Sequence, residues 1–486
     1  MLDQSTDWMD TIATLECKPE VRLMELSLPQ PHLGVDRLQR GSAIFDLLSL
    51  IHRLRGSVWA GGAKARTDWR TGDIGLREWS QTILRRGFDG KAVFPRVKGQ
   101  GPGRDIGLVL PLVEFGGVEK VALNVARAAK ARGDRTHLFV LSRNDGAISA
   151  EWRETLDSIT FLSDSAFTVW GGGRETYLGT EIPAWAQTGS HDQALAMLFW
   201  LDAVIDFHGG ALAGVMGRIK RLGIRTASSL HLADLTAVGR QTGNAFLTMA
   251  FEHAYDVIAP CSLQLADWCH AMGLPEDKII PIPNAPGFPI SAALLAQSRA
   301  GRTDRSTGPL RVLYLGRLDM QKGLERLTEV MEQSADLPLS WRVIGKAVIQ
   351  DQPTAVSATL RKVLEPALTT PEDLAAAYAW ADVLVLLSEF EGLPLTILEA
   401  MRQGVVPIAT DVGAVSEVLN ARNGFLVPLD QAMPGCLAAL RRLGRDRALL
   451  HRLSQTAEAD MAGRDWAHAS AAFFAALEKP QPVKPE

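Results

Sequence analysis

The chain has 486 residues, 47% of them hydrophobic, which is enough for two or three domains with cores of their own. A formal net charge of −4 gives no general attraction to nucleic acid or to an anionic membrane. The four cysteines contain no Cys-x-x-Cys pair, which disfavours a zinc site or a disulfide framework and fits a reducing cytoplasm. The acidic N-terminus lacks a signal-peptide pattern, and no apolar run reaches the roughly 18 residues needed to span a bilayer.

Residues 1–103 do not resemble the start of a nucleotide-binding domain. Helical apolar spacing recurs in 43–55 and 76–86, and the stretch 98–104 is typical of a linker. We therefore predict a mainly helical N-terminal extension. The basic end of its first helix is compatible with contact to a membrane surface or to a partner, and docking against the main body is the alternative.

A first α/β domain is predicted over 104–290. Its opening unit is a buried strand at 105–110, a turn containing Gly116 and Gly117, a helix at 118–131 and a strand at 137–141. A glycine pair at a helix start allows the backbone to approach an anion, although a plain tight turn would use the same residues. Further strands are predicted at 203–207, 226–230, 256–259 and 279–282, and His231 directly follows the second of these.

A second α/β domain is predicted over 308–465. The strand at 310–315 leads into a turn that contains Arg317 and Lys322. Two cations in a strand-to-helix turn suit a diphosphate, although isolated cations are usually solvated. Further strands are predicted at 341–344, 382–387, 406–409 and 424–427, with only a vague apolar run at 363–368.

The stretch 388–419 carries the strongest signal in the chain. Glu391 and Gly392 follow a buried strand, Pro394 suits the first position of a helix, and Gly404 is placed to end that helix in a left-handed conformation. A helix start offers free N–H groups to a phosphate or sugar oxygen. Glu399, farther along the helix, could accept hydrogen bonds from ribose hydroxyls, whereas a solvated pair of glutamates is the plain alternative.

These motifs resemble those of one family. Glu391 and Glu399 are separated by seven residues, and the segment resembles the E-x7-E region of the retaining GT-B glycosyltransferases, which include sucrose synthases and many bacterial polysaccharide glycosyltransferases. The turn with Arg317 and Lys322 resembles the donor-phosphate site of that family. His231 resembles its histidine that reaches the donor sugar, and the loop 115–119 resembles its glycine-rich loop.

The resemblance implies a GT-B fold, with two facing Rossmann-like doubly wound parallel-sheet domains and a C-terminal helix at about 466–478 that completes the first domain. It implies retaining transfer of a sugar from a nucleotide-diphosphate sugar, without a metal or other cofactor. The implied catalytic residues are Glu391, His231, Lys322 and Arg317. The implied donor-binding residues are Gly116, Gly117, Arg317, Lys322, Gly392, Leu393, Leu395 and Glu399.

Two alternatives stay open on the sequence: a nucleotide-sugar epimerase on the same fold, and a non-catalytic binding or scaffold module. The expected partners are a nucleotide-sugar donor and a glycan or lipid-linked acceptor in polysaccharide biosynthesis, with no nucleic acid. We expect a bacterial cytoplasmic protein, with association at the cytoplasmic face of the membrane left open. The sequence specifies neither the base, the sugar, the acceptor nor the oligomeric state.

Overall fold

The computed structural model describes residues 102–479, except for 115, 142–145, 162–175, 178–179, 182–197, 199, 208–212, 222, 236–240, 304–306 and 347–356. The predicted N-terminal extension, apart from its last two residues, therefore lies outside the described residues, as does most of the loop region between the third and sixth strands.

Two six-stranded sheets, parallel throughout, form the centres of the structure, which confirms the predicted α/β class. In chain order the strands are β1 Asp105–Leu110, β2 Arg135–Val140, β3 Ser158–Phe161, β4 Thr176–Tyr177, β5 Thr180–Glu181, β6 Ala203–Phe207, β7 Arg225–Leu230, β8 Asp234–Leu235, β9 Gln241–Thr242, β10 Val257–Pro260, β11 Leu310–Leu315, β12 Leu339–Ile344, β13 Leu364–Glu365, β14 Val383–Leu386, β15 Val406–Thr410 and β16 Phe425–Val427. The strand orders in the two large sheets are β10-β7-β6-β1-β2-β3 and β13-β12-β11-β14-β15-β16, and the remaining four strands form two short hairpins.

Helices cover both sheets, as crossover connections between parallel strands require. In chain order the α-helices are α1 Gly117–Ala131, α2 Ala150–Thr155, α3 Ala213–Arg221, α4 Asn244–Ala250, α5 Leu263–Ala271, α6 Ala292–Thr303, α7 Leu324–Gln333, α8 Ala358–Arg361, α9 Pro371–Trp380, α10 Leu395–Arg402, α11 Ala432–Arg445, α12 Arg447–Asp460 and α13 Trp466–Glu478.

The last helix, α13, belongs to the core of the first sheet although it comes at the end of the chain. It contacts α1, β7 and β10. Its Phe473 and Phe474 are fully buried, and the Arg225 guanidinium donates to the carbonyl of Ala476 at 3.1 Å. The chain therefore crosses between the two sheets twice, which ties the two domains together at one end.

Three predicted elements that contain or adjoin a proline differ in the structure. The strand predicted at 279–282 is reduced to a bridge between Ile258 and Ile279, since Pro281 and Pro283 cannot donate to a ladder. The vague run at 363–368 contains only the two-residue β13, which Pro366 follows. The helix after Glu391 begins at Leu395 rather than at Pro394, whose ψ of 124° is extended.

Candidate functional site

The strand orders place the predicted motifs at topological switch points. In the second sheet β11 lies between β12 and β14. After β11 the chain continues to β12 on one side, and after β14 it continues to β15 on the other side, so a crevice opens at the carboxyl ends of β11 and β14. Arg317 and Lys322 follow β11, and Glu391 follows β14. In the first sheet β1 lies between β2 and β6, and the loop with Gly116 and Gly117 follows β1. The glycine loop and the charged loops therefore occupy equivalent edges of the two sheets.

These loops face one another across a cleft of about 630 Å³. The cleft contains nearly every residue singled out from the sequence, drawn from both domains. Those lining it are Gly116, Gly117, His231, Arg317, Lys322, Glu391, Gly392, Leu393 and Leu395. Glu399 is the exception, because it lies behind the cleft surface and is fully buried.

Lys322 and Glu391 form an ion pair at the base of the second-domain wall. The Lys322 Nζ lies 2.6 Å from Glu391 Oε1, with side-chain exposures of 15% and 7%. The Ser388 hydroxyl donates to the same oxygen at 2.6 Å. Within the described residues Glu391 Oε2 accepts no hydrogen bond from another side chain, which leaves it for a ligand. Such a carboxylate can accept from a hydroxyl while the ammonium beside it faces an anion.

The turn that presents Lys322 is fixed by its own backbone. Asp319 caps a short 3-10 helix by accepting from the Lys322 N–H at 3.1 Å. Gly323 then adopts a left-handed conformation with φ of 69°, and a Cβ there would lie 1.9 Å from the carbonyl oxygen of Leu387. Only glycine permits both the conformation and this approach. The lysine is thus held against the strand that leads to Glu391.

Arg317 is more exposed than Lys322 and is oriented by neighbours on its own loop. Its Nε lies 3.2 Å from Asp319 Oδ2, and its Nη2 donates to Gln321 Oε1 at 2.8 Å. Gln321 in turn donates to the carbonyl of Phe390 at 3.0 Å. The side chain is 33% exposed. The arginine fork is therefore positioned on the cleft wall with donors available to a phosphate.

The glycine loop is organised by Glu119, a residue that sequence reasoning did not single out as a site residue. It occupies the first turn of α1, and its carboxylate accepts from the Glu114 N–H at 3.3 Å. A Cβ on Gly116 would lie 2.2 Å from Glu119 Oε2, so glycine is what allows the carboxylate to fold back over the loop. Burial raises the pKa of Glu119 to about 7, against the opposing effects of backbone donors and of Arg317 across the cleft.

His231 and Gly392 meet where the two domains touch. His231 follows β7, is 8% exposed and stacks on Phe207 with ring centroids 6.3 Å apart. A Cβ on Gly392 would lie 1.8 Å from the His231 carbonyl oxygen. Beside this contact, the Asn284 side chain donates to the carbonyl of Leu393 at 2.8 Å. The loop after β14 therefore packs backbone to backbone against the first domain.

Glu399 lies on helix α10, as the sequence predicts, but its side chain is not accessible to solvent. Its Oε2 accepts from the Tyr378 hydroxyl at 2.7 Å, and its Oε1 lies 3.2 Å from Lys120 Nζ of the first domain. A contact between Glu399 and ribose remains a prediction. Nothing in the sequence could indicate the Lys120 pairing, because 279 residues separate the two positions.

With these residues the cleft can bind a molecule that has an anionic part and a part rich in hydroxyl groups. The wall formed by the second domain carries the cations Arg317, Lys322 and Lys346, and the side formed by the first domain carries Lys120 together with Glu114, Glu119 and Glu151. Among the described residues, no helix is long and apolar enough to cross a membrane.

Both domains match family models of sugar-transferring enzymes. Residues 115–285 match the model described as Glycosyltransferase Family 4, and residues 309–446 match the model described as Glycosyl transferases group 1. The two matched segments contain all the predicted site residues of the cleft. The matches therefore cover both walls of the cleft rather than one of them.

Curated relatives are similar over part of the chain. The sulfoquinovosyl transferase SQD2 of Arabidopsis thaliana is 29% identical over 160 residues, which are 32% of this chain and 30% of the relative. A GDP-mannose-dependent alpha-mannosyltransferase of Mycolicibacterium smegmatis is 34% identical over 158 residues, which are 32% of this chain and 39% of the relative. The chain thus spans less than half the length of these relatives.

Solved structures share the fold over a larger part of the chain. Anabaena HepE in complex with UDP and glucose covers 77% of this chain and all of its own, with a TM-score of 0.59 at 16% identity. The sucrose-phosphate synthase of Thermosynechococcus elongatus covers 76% of this chain and 98% of its own, with a TM-score of 0.58 at 17% identity. At these identities the similarity concerns the fold alone.

Proposed function

This chain belongs to the GT-B glycosyltransferases, and from that premise we propose that it transfers a sugar, with retention, from a nucleotide-diphosphate sugar to a hydroxyl of a glycan or lipid-linked acceptor. The observation that carries the proposal is the convergence of Arg317, Lys322 and Glu391 on one cleft wall, opposite the glycine loop of the other domain. The two relatives are named for different transferred sugars, so the family does not specify the donor sugar.

In the proposed reaction the bond between the anomeric carbon and the diphosphate breaks, and negative charge develops on the leaving diphosphate. Arg317, Lys322 and the N–H groups of Gly116 and Gly117 stabilise that charge, and we assign no metal to this step. The loop N–H groups of Gly392, Leu393 and Leu395 hold the donor sugar.

Two further residues contact the donor in this proposal. The Glu391 carboxylate, already oriented by Lys322 and Ser388, accepts from a sugar hydroxyl. His231 contacts the sugar from the first domain. The acceptor oxygen attacks the anomeric carbon on the same face of the sugar from which the leaving group departs, so the anomeric configuration is kept. An oxygen of the donor phosphate takes the acceptor proton. Close packing of Gly392 on His231 excludes water during the reaction.

The first test is nucleotide binding. We expect one of UDP, GDP and ADP to raise the melting temperature of the protein and to bind in a calorimetric titration. Lys322→Met should weaken that binding by about tenfold or more, because a charge-assisted contact is lost. Lys362→Met, at an exposed position of the same domain, is the matched control. Binding unchanged in Lys322→Met would overturn the assignment of the diphosphate site.

The second test concerns the chemistry. Release of nucleotide and sugar from the matching donor separates an enzyme from a binding module, and NMR of the product's anomeric carbon distinguishes retention from inversion. Neither an epimerase nor a scaffold role gains support from the described residues or from the relatives. A product of inverted configuration would contradict the retaining mechanism but would not affect the assignment of the donor site.

A further inference from the structure

Acidic side chains are concentrated on the first-domain wall of the cleft. Glu114, Glu119 and Glu151 line it, and we call this set the acidic end. Among the described residues of the first domain, Lys120 is the only lysine or arginine that lines the cleft, and its Nζ lies 3.2 Å from the buried Glu399 carboxylate. The proposed function assigns the cations of the opposite wall to the diphosphate. The acidic end is therefore the part of the cleft that remains for the acceptor.

Two neighbouring loops bring these carboxylates together. The loop after β1 carries Glu114, and the loop after β2 leads to Glu151 in the first turn of α2. The Ala147 N–H donates to the Val113 carbonyl at 2.8 Å and joins the two loops. Glu119 reaches back from α1, where its Oε1 accepts from the Glu114 N–H at 3.3 Å. One end of the cleft thus carries carboxylates from three segments of the chain.

Two of these carboxylates each have an oxygen that remains for a ligand. Arg127 donates to Glu151 Oε1 at 2.6 Å, and no other described residue donates to Glu151 Oε2. Glu119 is only 8% exposed, and its Oε2 likewise accepts no hydrogen bond from another residue in the described part of the chain. A carboxylate oxygen in so buried a side chain is costly to leave without a donor, and a hydroxyl group of a ligand would supply one.

The group that binds at the acidic end has to suit carboxylates. Sugar hydroxyls donate hydrogen bonds to carboxylate oxygens. Burial raises the pKa of Glu119 to about 7, so near neutral pH this carboxyl both accepts from and donates to hydroxyls across the population of molecules. A phosphate or a carboxylate at the same place would be repelled by like charges and would lose its hydration without gaining a cationic partner.

We propose that the acidic end selects an acceptor whose attacked sugar is uncharged, and that it rejects a sugar with a phosphate or a carboxylate beside the attacked hydroxyl. This assignment rests on the proposed function and adds the class of acceptor to it. Glu151 is the specificity-determining residue, because Arg127 fixes its position and leaves one oxygen for the sugar. In a lipid-linked acceptor the linking phosphate would lie outside the acidic end.

The experiment uses matched acceptors that differ by one charge. The probes are the p-nitrophenyl glycosides of glucose and galactose, each compared with its uronide, and the readout is kcat/KM for transfer from the matching donor. In the wild type the neutral member of a pair should be preferred about tenfold or more. Glu151→Gln should reduce that preference about threefold to tenfold, because one repelling charge is lost.

The control is Glu154→Gln, which removes the same charge from an exposed position on the same helix and should keep the wild-type preference. A purely structural effect of Glu151→Gln would lower kcat/KM for both members of a pair equally and leave the preference unchanged. An unchanged preference in Glu151→Gln, or wild-type use of the uronide that equals or exceeds use of the neutral glycoside, would overturn the assignment.

A binding measurement separates this inference from the proposed function. Saturation-transfer NMR with the two uronides needs neither a donor nor turnover. Their dissociation constants should fall about threefold or more in Glu151→Gln and stay at the wild-type value in Glu154→Gln. If no nucleoside diphosphate binds, the proposed function fails, and the NMR comparison still decides whether Glu151 repels an anionic sugar. Equal dissociation constants in Glu151→Gln and the wild type would refute that repulsion.

Discussion

Replacement of Glu119 by glutamine tests how the glycine loop is held. A pKa that rises from 4.5 to about 7 means that the folded protein favours the protonated carboxyl. Below pH 4.5 the carboxyl is protonated in both the folded and the unfolded state, so its burial does not make the stability depend on pH. As the pH rises from 4.5 to 7, the unfolded state ionises before the folded state, and the free energy of unfolding falls progressively. The difference corresponds to about 3 kcal/mol at full ionisation. Glutamine keeps an acceptor for the Glu114 N–H but carries no charge.

The expected result is a stabilisation that depends on pH. Thermal unfolding followed between pH 4 and pH 8.5 should give equal melting temperatures for Glu119→Gln and the wild type at the acidic end, and a higher value for the variant above pH 7. For a domain of this size about 3 kcal/mol corresponds to roughly 6–12 °C. Glu154→Gln, an exposed glutamate of the same domain, is the control. Melting curves that stay parallel across the range would refute the argument that burial governs this carboxyl.

Two further predictions concern the packing of Gly392 on His231 and the buried carboxylate of Asp105 in the first sheet. Gly392→Ala should lower the rate of sugar transfer at least about a hundredfold and leave the circular dichroism spectrum unchanged, because the new Cβ would collide with the His231 carbonyl and hold the domains apart. The control is Gly444→Ala, where an added Cβ contacts nothing. Turnover at the wild-type rate in Gly392→Ala would contradict the expectation. Burial tends to raise the pKa of Asp105, but bonds from His137 and Arg135 outweigh it and hold the pKa well below its usual range. Asp105 therefore stabilises the fold above about pH 4, and Asp105→Asn should lower the melting temperature at pH 7 by an amount that shrinks as the pH falls; a constant deficit would contradict this.

Much of the second domain was predictable because its signals are local. Gly404 is left-handed with φ of 71°, as its place after an apolar helix predicts. Arg317 and Lys322 follow one buried strand and Glu391 follows another, and parallel pairing of those two strands brings the turns together. A local pattern fixes which residues end at the carboxyl edge of a sheet, and that edge is where such sheets bind ligands.

What the sequence could not predict depends on contacts between distant residues. The burial of Glu399 follows from Tyr378, Gly287 and Lys120, and the last two of these lie in the first domain. The role of Glu119 in folding back over its loop depends on whether solvent reaches it, which a helical pattern does not reveal. The missing strand at 279–282 has a local cause, because Pro281 and Pro283 lack the N–H donors that a strand needs.

The most direct measurement is a crystal structure of the protein with the nucleoside diphosphate that binds it. We expect diphosphate oxygens within about 3 Å of Arg317 and Lys322, with the ribose at Glu399. A nucleotide bound elsewhere, or one in the cleft whose diphosphate contacts neither cation, would contradict this expectation.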